Sequence, residues 1–207
     1  MGRKIVLLVI IILQTLALGA QETANGRQAR RIFNQAFGQV YGDQGASFHY
    51  GVNIGGVYKT EGDIIVKGKK QKFVDERADV WNDGVTTYMA YRKKKEVHIH
   101  AANSDKKDKY SGKFKFDLDD FDYSIAEDGD NFLLTLKQKK KAKGTVKMVK
   151  AWVTRKSYKP VQLRLKVAFV WTTIKLSNFQ AGGISDDIFV FPRSRYKDWA
   201  FIDKRNE

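Results

Sequence analysis

From Ser47 onward, apolar and polar residues alternate with a period of two, a pattern that only half-buried β-strands satisfy. The clearest case is Val161, Leu163, Leu165 and Val167, which interleave with Gln162, Arg164 and Lys166 behind Pro160, a residue suited to a strand start. Phe132, Leu134 and Leu136 repeat the pattern, as do Phe114, Phe116 and Leu118. Val170, Thr172, Ile174 and Leu176 line one face of a long strand whose other face carries Phe169 and Trp171. Turn signals fall at Asn82-Asp83-Gly84, Asp128-Gly129-Asp130, Gly144 and Gly182-Gly183. Roughly nine to eleven antiparallel strands, joined mainly by short turns, are predicted.

Gln28 to Tyr41 breaks this period. Ile32, Phe33, Ala36, Phe37, Val40 and Tyr41 fall on one helical stripe, with Arg30, Arg31, Asn34 and Gln39 opposite, and Gly42 stops the helix. Large aromatics sit throughout the strand region, among them Phe73, Trp81, Tyr88, Tyr91, Trp152 and Trp171. A strongly curved sheet with the one helix across its concave side buries them with the least additional structure. The fold class expected is therefore mainly β with α: a curved antiparallel sheet forming an open, incomplete barrel covered by the N-terminal helix and lid segments. No internal repeat or linker divides the strand region, so residues 21–207 read as a single domain.

The first twenty residues read as a cleavable signal peptide. Arg3 and Lys4 precede an unbroken apolar run from Ile5 to Leu13, and Ala17-Leu18-Gly19-Ala20 offers small residues for cleavage. A spanning helix needs about 20 apolar residues, while Gln14 and Thr15 interrupt this run early. The expected location is the periplasm. The chain has no cysteine, which excludes disulfides and a thioether-linked lipid. Its 38 basic side chains against 23 acidic give a formal net charge of +15. In an exported protein that excess points to anionic membrane surfaces, or to solubility, rather than to nucleic acid. The runs Arg92 to Lys95 and Lys137 to Lys143 read as hairpin caps that also protect sheet edges.

Little in the chain supports catalysis. A Gly-x-Ser-x-Gly elbow is absent, and only three histidines occur. His98 and His100 point to one face of a strand and could share a metal, but no third ligand is evident nearby, so no metal or other cofactor is expected. Asp117, Asp119, Asp120 and Asp122 lack the spacing and central glycine of a calcium loop and read as solvated acids. Asp186 and Asp187 read as a turn, and Gly55-Gly56 is too short to cradle phosphate. A non-enzymatic binder of something apolar is what remains.

Several segments, read in order, resemble the LolA-type periplasmic carriers of outer-membrane lipoproteins and their LolA-like relatives. After the helix come Ser47-Phe48-His49-Tyr50 and Glu61-Gly62-Asp63-Ile64-Ile65-Val66-Lys67, then Phe73. Asn82-Asp83-Gly84-Val85-Thr86-Thr87-Tyr88 is similar to the family's Asp-Gly hairpin with its aromatic strand. Asp128-Gly129-Asp130-Asn131-Phe132-Leu133-Leu134-Thr135-Leu136-Lys137 is similar to its "Gly-Asp-x-Phe-x-Leu-Thr" strand, and Asn178 to Phe191 with Pro192 to its terminal pattern. The resemblance implies an open barrel covered by helices, around a cavity for lipoprotein acyl chains. It also implies triacylated lipoproteins as cargo, an ATP-driven inner-membrane extractor of the ABC type as donor, and an outer-membrane acceptor. No catalysis is implied. Two departures stand out: Gly68-Lys69 replaces the family's lid-latching Arg-Pro, and Asn103 to Lys113 is polar where lid helices are expected.

The cavity lining expected on the strands is Ile64, Val66, Phe73, Tyr88, Leu134, Leu136, Leu163, Leu165 and Trp171, with Ile32, Phe33 and Phe37 on the helix. A monomer shuttling acyl chains between membranes is the first reading. A LolA-like binder of another lipid, or an envelope-stress sensor using the same cavity, is the alternative.

Overall fold

The computed structural model describes residues 22–104 and 117–206. The signal segment, Phe114, Phe116 and most of Asn103 to Lys113 lie outside these residues. The helix α1 spans Ala24–Tyr41, four residues longer at its start than the apolar stripe indicates. Thr23 caps it, its hydroxyl accepting from the Gly26 amide at 3.0 Å. Gly26 looks like a breaker in sequence, yet it lies buried where a Cβ would come within 3.0 Å of the Tyr123 carbonyl. The missing side chain lets the helix touch the sheet edge.

Twelve strands follow: β1 (Ala46–Ile54), β2 (Tyr58–Lys67), β3 (Lys70–Asp75), β4 (Ala78–Asn82), β5 (Thr86–Tyr91), β6 (Glu96–Ala101), β7 (Phe121–Asp128), β8 (Asn131–Gln138), β9 (Val146–Thr154), β10 (Pro160–Val167), β11 (Val170–Ala181) and β12 (Ala200–Asp203). They form one sheet in the order β12-β6-β5-β4-β3-β2-β1-β11-β10-β9-β8-β7, and the two end strands do not meet, so the barrel is open. The strand count exceeds the sequence expectation because β12 is only four residues long and pairs in parallel with β6, too short for alternation to register.

Hydrogen-bonded register sorts the side chains into two faces. One face carries Phe48, Tyr50, Val52 and Ile54 of β1, facing Ile64 and Thr60 of β2 and Leu176, Ile174 and Thr172 of β11. Helix α1 lies on this face. It runs closest to the edge strand β7 and also approaches β8, β1 and β2, bridging the sheet like a chord, which makes this the concave side. Ala29, Ile32, Phe33 and Ala36 pack there with Phe121, Tyr123, Leu134, Leu136, Val149, Val153 and Leu165 as the main core. The opposite face of β4–β6 is covered by the C-terminal segment. Phe191, Tyr196 and Trp199 close over Trp81, Tyr88, Ala90 and Val97 in a second, aromatic core.

Candidate functional site: the concave wall

On the concave side the main core ends abruptly. Val66, Leu134 and Leu136 are fully buried, whereas Phe48, Tyr50, Val52, Ile54, Ile64, Phe73, Ile174 and Leu176 are only partly buried. These eight residues are contiguous. Phe73, Ile64 and Phe48 are paired across β3, β2 and β1, and Tyr50 and Val52 face Leu176 and Ile174 across β1 and β11. The helix adds an aromatic ladder, with Phe33 to Phe37 ring centroids 6.3 Å apart and Phe37 to Tyr41 4.6 Å.

Phe37 and Tyr41 are 44% and 41% accessible. Desolvation nevertheless pushes the Tyr41 phenol above its ordinary pKa. Desolvation, with the Asp75 carboxylate nearby, likewise pushes the Tyr50 phenol up to about 12.

The sequence-chosen residues divide into three groups. Ile32, Phe33, Val66, Leu134, Leu136 and Leu165 are concave but buried in the core. Phe37, Ile64, Phe73 and Leu163 are concave and partly open. Tyr88 and Trp171 lie on the other face. Tyr88 is paired with Trp81 and stacks on Phe191 at 4.5 Å, while Trp171 is paired with Lys166 and lies under the Arg164 guanidinium at 4.8 Å. Their aromatic character suggested a ligand wall, but the parity of their strands turns them outward. Phe48, Tyr50, Val52 and Ile54 lie outside the expected lining although their alternation is plain, because Gly51 and Gly55-Gly56 break up the run.

The outer face of the same strands is polar. His49 Nδ1 is 3.0 Å from Asp63 Oδ1, and Lys59, Glu61 and Lys175 surround Gly51. His98 is paired with Glu96 at 2.9 Å, and among the described residues no three His, Cys, Asp or Glu side chains gather as a metal site. Asp119 is paired with Arg30 at 2.7 Å. Asp186 bridges Lys67 and Lys70, at 2.9 Å each, which ties the C-terminal segment to the β2–β3 hairpin beside Gly68-Lys69. Among the described residues no helix is long and apolar enough to cross a membrane.

No family model and no curated protein matches the chain. Among solved structures it is similar to an uncharacterized conserved protein from Thermus thermophilus, at a TM-score of 0.56 and 7% identity over 86% of this chain and 99% of that one. A LolA superfamily protein, NE2245 from Nitrosomonas europaea, aligns at a TM-score of 0.39 and 9% identity, covering 80% and 98% of the two chains. The Mycobacterium tuberculosis lipoprotein LppX aligns at 0.42 and 12%, covering 74% and 95%. The last two scores add no weight, and identities this low speak for fold alone. The fold itself is one open, curved sheet with helix α1 against its concave side, the open-barrel form expected from the alternating strands.

Proposed function

We propose that the protein is an exported carrier that holds acyl chains, those of lipoproteins foremost, against the concave wall of β3, β2, β1 and β11. The observation that supports this reading is the partly buried apolar surface itself. A well-packed core leaves no such surface, whereas here eight large side chains on one face lack full cover. Three acyl chains bring on the order of 40 methylenes, at about 0.8 kcal/mol each when moved out of water. Such cargo cannot cross an aqueous compartment free, so a donor must load it directly and a tighter-binding acceptor must take it. Loose filling suits that role, because tight complementarity would oppose release.

The protein's own contribution is binding and water exclusion. Phe37 and Tyr41, exposed on the helix that lies on the same face, supply further apolar surface for the chains, and the buried residues beneath keep the strands in register. The periplasm as the working compartment, cleavage of residues 1–20 and transfer between membranes belong to the same proposal. A charge on the wall is the test. Phe73→Glu is expected to fold and to lose at least tenfold in affinity for a triacylated lipopeptide, measured by displacement of a fluorescent fatty acid. Unchanged affinity would contradict the assignment. Lipoprotein peptides in extracts of the native protein would support the lipoprotein reading, and free lipid alone would favour the other-lipid alternative.

A further inference from the structure

The turns at one end of the sheet differ in kind from those at the other. β1–β2, β3–β4, β5–β6, β8–β9 and β10–β11 all turn at the same rim, as the antiparallel register requires. At the centre of this rim lie two apolar tips, Val57 at 94% and Phe169 at 95% accessible, the most exposed large apolar side chains among the described residues. They are neighbours. The Gly55 amide donates to the Trp171 carbonyl at 2.9 Å, and a Cβ at Gly55 would touch Val170 at 3.4 Å.

Basic turns flank the tips on both sides. Residues 92–95 are all Arg or Lys, and four of the five residues 139–143 are Lys. The acids at this end are Asp117, Asp119 and Asp120 at the β7 edge, where Arg30 pairs with Asp119, Asp75 and Glu76 in the β3–β4 turn, where Arg77 pairs with Asp75, and Glu96 at the start of β6, paired with His98; the lysines outnumber them. At the opposite rim signs are mixed: Asp83 and Asp130 face Lys69, Arg155, Lys156 and Lys159, and Asp186 occupies Lys67 and Lys70.

We infer that this rim is a docking surface for an anionic phospholipid bilayer, with Val57 and Phe169 entering the headgroup region and the flanking lysines meeting lipid phosphates. Two separate tips on convex turns, set among long hydrated lysines, make a poor protein interface, whose centre excludes Lys and demands complementary shape. A lipid surface adapts to them, and combines apolar insertion with electrostatic attraction. Ile54 and Tyr58, cross-strand partners on the concave face, lie beside the Val57 tip, so docking brings one end of the apolar wall to the bilayer. The surface is argued from the turns alone and stands whatever the wall holds.

Flotation of the full protein with vesicles tests this, all forms sharing one N-terminus. The parent is expected to float at least tenfold better with phosphatidylglycerol-containing vesicles than with phosphatidylcholine, and to dissociate as salt rises. Val57→Ser with Phe169→Ser, and separately Lys93→Gln with Lys94→Gln and Lys95→Gln, should each lower flotation about fivefold. Phe169→Trp keeps a large aromatic ring at the tip and keeps the test open if the double variant misfolds; the emission it adds to that of the parent should shift to the blue only with anionic vesicles. Equal flotation on neutral lipid, a serine variant that floats like the parent, or a tryptophan that stays solvated would each overturn the proposal. If lysine substitution alone weakens flotation, the rim is only a general polyanion binder, and the proposal also falls.

Discussion

Burial separates side chains that look alike in sequence. Leu134 and Phe73 both sit on the inward parity of their strands, but only Leu134 is fully enclosed. Leu134→Ala should therefore cost about 2–5 kcal/mol of stability, read by denaturant unfolding. Phe48→Ala and Phe73→Ala, at half-open positions, should cost clearly less and show their main effect in ligand affinity. Asp75 gives a pH handle at the same scale. Burial alone would raise its carboxyl pKa, but hydrogen bonds from the Arg77 side chain and from the Ala78 and Arg77 amides outweigh this and hold it below the ordinary value. A depressed folded pKa contributes stability that is complete above the unfolded value near 3.9 and fades as pH falls through the folded one. The stability gap between parent and Asp75→Asn should thus be constant near neutrality and close below about pH 4 in unfolding titrations. The apolar inventory was legible residue by residue, and so was strand parity except at Tyr88 and Trp171, where aromatic character pointed to the wrong face. Whether a concave residue is sealed or open was not, because that depends on how far one helix reaches across the sheet.

An open sheet leaves an edge strand at each end, and α1 protects one of them. The Asn25 side-chain amide donates to the Ile125 carbonyl and accepts from the Ile125 amide, both at 2.9 Å, taking the place of a neighbouring strand on β7. Asn25→Ala should cost about 1–2 kcal/mol and increase self-association, measured by unfolding and by sedimentation. In the middle of the sheet, Asp186 fastens the C-terminal segment to β2 and β3, and hydrogen bonds from Lys70 and Lys67 hold its carboxyl pKa low. Asp186→Asn is expected to speed amide exchange in residues 183–190 with little change at β4, where the Tyr196 hydroxyl still donates to Asp79 at 3.2 Å. Neither device was readable in advance. Asn25 sits 100 residues from its partner, and Asp186-Asp187 resembles an ordinary turn. Both became meaningful once the sheet's order placed them against particular strands.

At the scale of the molecule, alternation, one helix and few breaks already implied an open curved sheet, and the observed topology has that form. The sequence did not reveal that the sheet has two covers on opposite faces, the helix over β7–β10 and the aromatic C-terminal segment over β4–β6. The second cover packs on the outward face that strand parity gives Tyr88, and among the described residues the centre of the concave wall lacks full cover. Methyl NMR during titration with a triacylated lipopeptide tests this account most directly. Saturable shifts at Ile64, Ile174 and Leu176, with Leu134 and Leu136 unmoved, are the predicted result. Shifts absent from the first group, or no larger there than in the buried core, would contradict it.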